Sequence, residues 1–324
     1  MLEIDGSMGE GGGQIFRTAI AISAITGTPV RIVRIRAGRR NPGLRNQHLH
    51  ALRLVGEICD ADIQGAFVGS TEVTFAPRSI KGGEFRAEIG TAGSITLLLQ
   101  AALIPALHSE KEVVIEATGG TDVPWSPTSD YFRHVFLEHL RRMGFSVEME
   151  VLRRGFYPRG GGKVRVVIEP SEPGSFIPSG RPEGIHGIAF TSGLPSHVAD
   201  RMVSSARKVL PEAEIEIERT EGDPGAGIAL WTDGLLLGSD ALGRKGVPAE
   251  DVGMSAATSL RADMGFTIDL HAADQMVPYI ALHGGEYTAR EVTSHARTCA
   301  DVMNIFLPGS VVIQGTTFRG KGVM

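Results

Sequence analysis

The chain has 324 residues, of which 42% are hydrophobic and 21% charged, with a net charge of −5. This is an ordinary globular balance that excludes a disordered chain, and the acidic sum argues against bulk binding of nucleic acid. No run of 18 apolar residues occurs, and Met1 leads directly into a strand-like segment. The expectation is therefore a soluble, cytoplasmic protein with no membrane partner.

In chain order the pattern repeats. The first copy runs from the strand-like Leu2–Gly6 through a Gly-rich turn into an apolar helix over 14–25. A strand at 29–35, a second helix near 44–58 and further strand follow. The second copy opens with a strand at 84–90 and turns through Thr91-Ala92-Gly93 into a helix over 94–107. It continues with a strand at 112–117, a helix over 130–143 and the strand 145–151. A long hairpin closes it around Gly160-Gly161-Gly162, and a Ser/Pro/Gly-rich linker follows. The third copy opens with a strand at 266–270, turns through His271–Gln275 into an apolar run ending at Leu282, and starts its second helix near His295. Between the second and third copies lies a stretch with its own plan: strand, helix 196–210, two or more strands and helix 248–263.

A β-α-β-α-β-β unit with one apolar face cannot bury that face alone, so three such units should share a core. The predicted fold is α/β (α+β), three repeated units sharing a core plus a small inserted α+β domain. The boundaries are 1–180 for the first two repeats and the hairpin, 181–265 for the insertion and 266–324 for the third repeat.

Four features bear on chemistry. Gly9–Arg17 is a Gly-rich turn entering a helix, where free N–H groups and the helix dipole favour an anion. It lacks both the dinucleotide fingerprint and the Walker pattern. Glu10 inside that turn reads either as a metal ligand between the protein and a phosphate or as a solvated turn acid. Seven arginines (Arg31, Arg34, Arg36, Arg39, Arg40, Arg45 and Arg53) stand with His48 and His50 in a stretch without any acid. That run is either a focused phosphate-binding patch or a solvated basic loop.

His295 follows two N-cap candidates, Thr293 and Ser294, and shares a helix face with Cys299. It reads as a buried histidine bonded to the cap or as a nucleophile, because a helix N-terminus favours the neutral imidazole by ~0.3–1 kcal/mol. His271-x-x-Asp274-Gln275 offers polar groups to a ligand or a capping aspartate. Cys59 and Cys299 have no CxxC partner, which predicts buried thiols and neither a zinc site nor a disulfide.

The segment Arg153–Val164 (RRGFYPRGGGKV) resembles the signature of the RNA 3'-terminal phosphate cyclases. Gly9–Arg17, Ile35–His48 (IRAGRRNPGLRNQH), Gly90–Gln100, Gly119–Pro127 and the segment around His295 resemble that family's other motifs, in order. The similarity covers nearly the whole chain and is weakest in the inserted stretch. It implies ATP-dependent conversion of an RNA 3'-phosphate to a 2',3'-cyclic phosphate through a covalent histidinyl-AMP and an RNA(3')pp(5')A intermediate.

Carried over residue by residue, it implies His295 as nucleophile and Glu10 as ligand of a divalent metal, Mg²⁺ or Mn²⁺. Arg17, Arg36, Arg39 and Gln47 would surround the phosphates. Gln100 and Pro127 would lie near the nucleotide, with Pro127 on the adenine face. Asp274 and Gln275 would flank the histidine. His271 stands where some members place an adenine-stacking tyrosine. The partners implied are ATP and RNA with a 3'-phosphate end, and a homo-oligomer is compatible. Two rival readings are a catalytically inactive cyclase-like protein of ribosome assembly, which would lack the nucleophile, and a carboxyvinyl transferase, which would form no adenylate.

Overall fold

The computed structural model describes residues 1–324. The first unit contains β1 (Leu2–Asp5), α1 (Gly13–Thr26), β2 (Val30–Val33), α2 (Asn46–Ile58), β3 (Asp62–Gln64) and β4 (Val73–Ala76). The second contains β5 (Gly83–Glu88), α3 (Ile95–Ala106), β6 (Val113–Gly119), a helix, β7 (Ser146–Arg153) and β8 (Gly162–Glu169). That helix runs as α4 (Ser129–Tyr131), a π turn over Phe132–Phe136, and α5 (Leu137–Arg142).

Their sheets have the same order, β1-β2-β4-β3 and β5-β6-β8-β7, each with its first two strands parallel and the rest antiparallel. Next come β9 (Pro182–Ser192), α6 (His197–Val209), β10 (Glu214–Thr220), β11 (Gly225–Gly234), β12 (Gly238–Leu242) and α7 (Ala249–Asp263), with sheet order β10-β9-β11-β12. The chain ends with α8 (Leu270–Gln275), α9 (Val277–His283), β13 (Gly285–Thr288), α10 (Ser294–Phe306), β14 (Val311–Gln314) and β15 (Thr317–Gly320), in a sheet ordered β13-β15-β14.

The third unit departs from expectation in two places. The segment 266–270 is not a strand. Thr267 and Ile268 donate to the Thr288 carbonyl, and Asp269 then turns its side chain inward to cap α8 by accepting from the His271 and Ala272 N–H groups. The chain bends through residues 266–268 between the end of α7 and this cap, which leaves no straight run to build a ladder. His271, Asp274 and Gln275 consequently lie on a helix, where the sequence pattern suggested a turn. The helix breaks at Met276, ahead of Pro278, which lacks the N–H a continuous helix would need.

One cluster of 64 buried residues draws on all three units, and a second of 18, from Ile185 to Leu260, fills the insertion. Helix α1 is buried on nearly every side, from Ile15 to Ala24, because α2, α3 and α10 all pack against it. It holds the helices of the three units together, so side chains near its N-terminus meet groups from each of them. Both cysteines are buried free thiols, as their surroundings in the sequence suggested.

Candidate active site

A cavity of about 690 Å³, within the size range of small-molecule sites, opens at the N-terminus of α1. Its wall carries Glu10, Arg17, Arg36, Arg39, Gln47, Gln100, Pro127, His271, Asp274, Gln275 and His295, so every site residue expected from sequence lies on one surface.

The floor is the start of α1. Gly12 occupies its N-cap position without a side-chain cap, leaving the first N–H groups of the helix for a ligand. A Cβ on Gly13 would come within 2.1 Å of the His48 Nε2. Glycine there lets His48 lie directly against the helix. His48 Nδ1 accepts from the Arg45 N–H at 3.2 Å, which puts the ring proton on Nε2. Burial, reinforced by Arg17, Arg36 and Arg45, holds this imidazole well below its usual range, so it stays neutral. The sequence pattern counted His48 among a basic run; in the fold it is an uncharged hydrogen-bond donor on the cavity wall.

The arginine run divides. Arg31 pairs with Glu3 and Glu72 at 2.7 and 2.8 Å, and Arg34 pairs with Asp5, so both serve the first sheet's surface. Arg36, with φ +56, donates to the Asn41 and Gly43 carbonyls and braces its own loop at the cavity edge. Arg39 has only a 3.4 Å contact with Glu10. The Arg17 side chain makes no hydrogen bond, and burial pulls its guanidinium down to about 10 despite Asp274 nearby. Guanidiniums with unused donors around one cavity suit an oxyanion-rich ligand.

His295 stands in the first turn of α10, where Thr293 is the N-cap and its Oγ1 accepts from the Ala296 N–H at 3.0 Å. Its side chain is 47% exposed at the cavity mouth, with Nε2 3.6 Å from Glu10 Oε2. The alternative of a buried histidine bonded to the cap is therefore not what the fold contains. Ser294 Oγ donates to Glu10 Oε1, and this bond holds the Glu10 carboxyl below the usual carboxylate range, with the nearby Arg39 acting in the same direction.

Deeper in, Gln14 Nε2 reaches Asp274 Oδ2 at 3.5 Å, and burial pushes the Asp274 carboxyl up to about 6. The amide oxygens of Gln14 and Gln275 are buried without partners, leaving two acceptors for a ligand. Gln47 Oε1 accepts from the Ser94 N–H at 3.1 Å and so ties α2 to the start of α3. No group of three His, Cys, Asp or Glu side chains gathers in a way that could cage a metal. The carboxylates on the cavity wall are Glu10, Asp240 and Asp274, of which Glu10 stands beside His295 at the mouth.

Asp240, Tyr131 and Trp125 also line the cavity and were not anticipated from the sequence. Asp240 comes from β12 of the insertion, where the sequence resemblance is weakest, and its Oδ2 accepts from the Thr128 N–H at 2.6 Å. Tyr131 is wholly buried and donates its hydroxyl to Asp269 Oδ1 at 2.6 Å. Trp125, at the rim, sits inside a motif already marked, so a large aromatic beside Pro127 was the signal available.

The sequence model of the RNA 3'-terminal phosphate cyclases matches residues 8–313. The chain belongs to that family. It is 48% identical to the RNA 3'-terminal phosphate cyclase of Methanopyrus kandleri, over 97% of this chain and 96% of the relative. The corresponding figures are 46%, 97% and 98% for the protein of that name in Archaeoglobus fulgidus, and 44%, 95% and 93% for that in Pyrococcus abyssi. The site residues that the sequence resemblance implied lie around the cavity at the start of α1, whereas the signature segment Arg153–Val164 lies outside its lining.

Proposed function

We propose that this chain uses ATP to convert an RNA 3'-terminal phosphate into a 2',3'-cyclic phosphate, with His295 as the nucleophile. The observation that carries the reading is an exposed histidine on a helix's first turn, at the mouth of a cavity whose wall presents Arg17, Arg36 and Arg39.

In the first step a bare His295 ring nitrogen attacks the α-phosphorus of ATP. A P–N bond forms, the bond to the bridging oxygen breaks, and pyrophosphate leaves. Arg17 and Arg39, with donors to spare, would bind the phosphate oxygens and stabilise the charge that builds during displacement. A divalent cation held by Glu10 would supply further neutralisation of the triphosphate. Pro127, Gln100 and His271 would bound the nucleoside, with Asp274 and Gln275 beside the histidine.

In the second step a 3'-phosphate oxygen of RNA attacks the same phosphorus, and the His295 nitrogen leaves. In the third the neighbouring 2'-hydroxyl attacks the RNA phosphorus, losing its proton, and AMP departs. The middle step exists because a phosphate monoester has no good leaving group for ring closure, and AMP provides one. The same reading treats residues 1–180 with 266–324 as one body and 181–265 as a separate unit that lends Asp240 to the site. Two unpaired thiols fit a reducing compartment, the cytoplasm.

The test is incubation with ATP labelled at the α-phosphate. The wild type should become covalently labelled, the adduct should be lost in acid and kept in base, and His295→Ala should take up no label. RNA ending in a 3'-hydroxyl should give no product while self-labelling persists. Label retained in His295→Ala would overturn the assignment, and an unlabelled wild type would favour the binding-module reading.

No helix is long and apolar enough to cross a membrane.

A further inference from the structure

Trp125 is 95% exposed, although it is among the largest side chains at the cavity rim. Tryptophan is seldom left this free, since its ring offers roughly 150–250 Å² for burial. Its backbone has φ +63, the left-handed region that bulky residues avoid. The surrounding segment is fastened from several sides. Ser126 Oγ donates to the Val123 carbonyl at 2.8 Å, Thr96 Oγ1 to the Pro127 carbonyl at 3.0 Å, and the Thr128 N–H to Asp240 at 2.6 Å. The Ser129 N–H donates to buried Asp122 at 2.9 Å. A rigid loop thus holds an indole out to water in a strained conformation, and nothing in the protein packs on it. Strain of this kind, about 1–3 kcal/mol, persists where the fold over-determines it and collects at binding sites.

We infer that Trp125 is a stacking platform for a nucleobase at the 3' end of the RNA. This rests on the cyclase reading above. The nucleotide occupies the interior, between Pro127, Gln100 and the arginines, whereas RNA must arrive last and from outside to reach an AMP on His295 at the mouth. Its terminal bases therefore cross the rim, where a free aromatic face is available. Stacking accepts any base, so such a platform would set no sequence requirement at the RNA end.

The experiment separates the two steps. Trp125→Ala should self-label from ATP as the wild type does, because that step does not involve RNA. Its KM for 3'-phosphorylated RNA should rise by about 5- to 150-fold, the effect of losing one base–aromatic stack. Trp125→Phe should retain most of the affinity. Trp125→Gly should bind RNA as weakly as the alanine variant while being no less stable than wild type, since φ +63 suits glycine; a structural role would show the opposite. Binding is read independently by quenching of indole fluorescence with a 3'-hydroxyl oligonucleotide, which should vanish in Trp125→Phe and leave the Trp231 signal unchanged. An unaltered KM in Trp125→Ala would overturn the inference, and so would lost self-labelling, which would assign the ring to adenine. Should the wild type form no adduct, the cyclase reading fails, and quenching by the oligonucleotide still decides whether RNA stacks on Trp125.

Discussion

Replacing Arg154 with methionine should expose how strongly the signature hairpin is tied to the rest of the molecule. Arg154, 5% exposed, donates to Asp122 at 3.3 Å, Ser129 Oγ at 3.2 Å, Asp130 at 2.8 Å and both oxygens of Glu218 at 2.9 and 2.6 Å. Its guanidinium also lies 4.1 Å from the centre of the Phe190 ring. Methionine fills much of the volume but leaves two buried carboxylates without their cation. Asp122 keeps donors in Thr121 Oγ1, the Ser129 N–H and Ser129 Oγ. Asp130 keeps no side-chain donor, so most of the loss falls there. Breaking a buried pair by removing one partner costs about 3–5 kcal/mol, and that is the deficit expected at pH 7.

The deficit should also depend on pH. Burial already pushes the Asp130 carboxyl up to about 6 while Arg154 opposes it. Without Arg154 it rises further and Asp130 is protonated in the folded variant at pH 7. A raised folded-state pKa means stability falls as pH rises. In the wild type that fall ends near pH 6; in the variant it continues to pH 7 and beyond. The deficit should therefore be smaller at pH 5 than at pH 7 by about 1.4 kcal/mol, the equivalent of one pKa unit. Urea unfolding at both pH values measures it, and adding Asp130→Asn to the variant should recover part of the loss. A deficit below about 1 kcal/mol at pH 7, or one that grows on acidification, would refute the reasoning.

Gly13→Ala sets a Cβ 2.1 Å from His48 Nε2, an atom on a buried ring that also holds the start of α2. We expect about 1–3 kcal/mol of destabilisation from the forced shift and markedly slower self-labelling with ATP. Gly12→Ala meets only the flexible end of Arg39 at 3.2 Å and should be milder; equal labelling rates in both variants would contradict the account. Asp263→Asn should stabilise the protein at neutral pH. Burial pushes the Asp263 carboxyl up to about 6, Asp269 adds to the rise, and Arg290 at 3.5 Å opposes it. Because the folded pKa is raised, stability is lost as pH climbs from about 4 to 6, at most ~3 kcal/mol. Asparagine retains an acceptor for the Leu270 N–H but loses the Arg290 pair, so a net gain of about 1–2 kcal/mol at pH 7, fading below pH 4, should appear in thermal melts. A gain equal at both pH values would argue against ionisation as its origin.

Local rules, read from the sequence alone, were enough for the elements themselves. Apolar spacing placed α1, α2 and α3 within a few residues of their ends and the start of α10 within one residue, and Ser94 and Thr293 cap their helices as their side chains favour. The repeat was visible because each unit carries its own alternation of period, and the common strand order is its consequence in space. The position of His295 at a helix start was equally local.

Where that helix points was not local. The histidine's face carries Cys299 and reads as apolar, yet the ring stands at an open mouth, since the neighbouring repeat turns its Gly-rich loop and Glu10 toward it. The strand expected at 266–270 failed for a related reason: the Asp269 side chain finds Tyr131, the Gly238 N–H and the start of α8 together, and this cap outweighs a short strand pairing. His48 looked like one more cation, but burial and three arginines, two of them close to it in sequence and one on another helix, keep it neutral. Sequence by itself determined the repeating units, their caps and the residues with chemistry to offer. The meeting of those residues around one cavity, the division of the arginines between surface pairs and free donors, and the charge state of each group were decided by tertiary structure, because burial and electrostatics depend on neighbours brought together from distant parts of the chain.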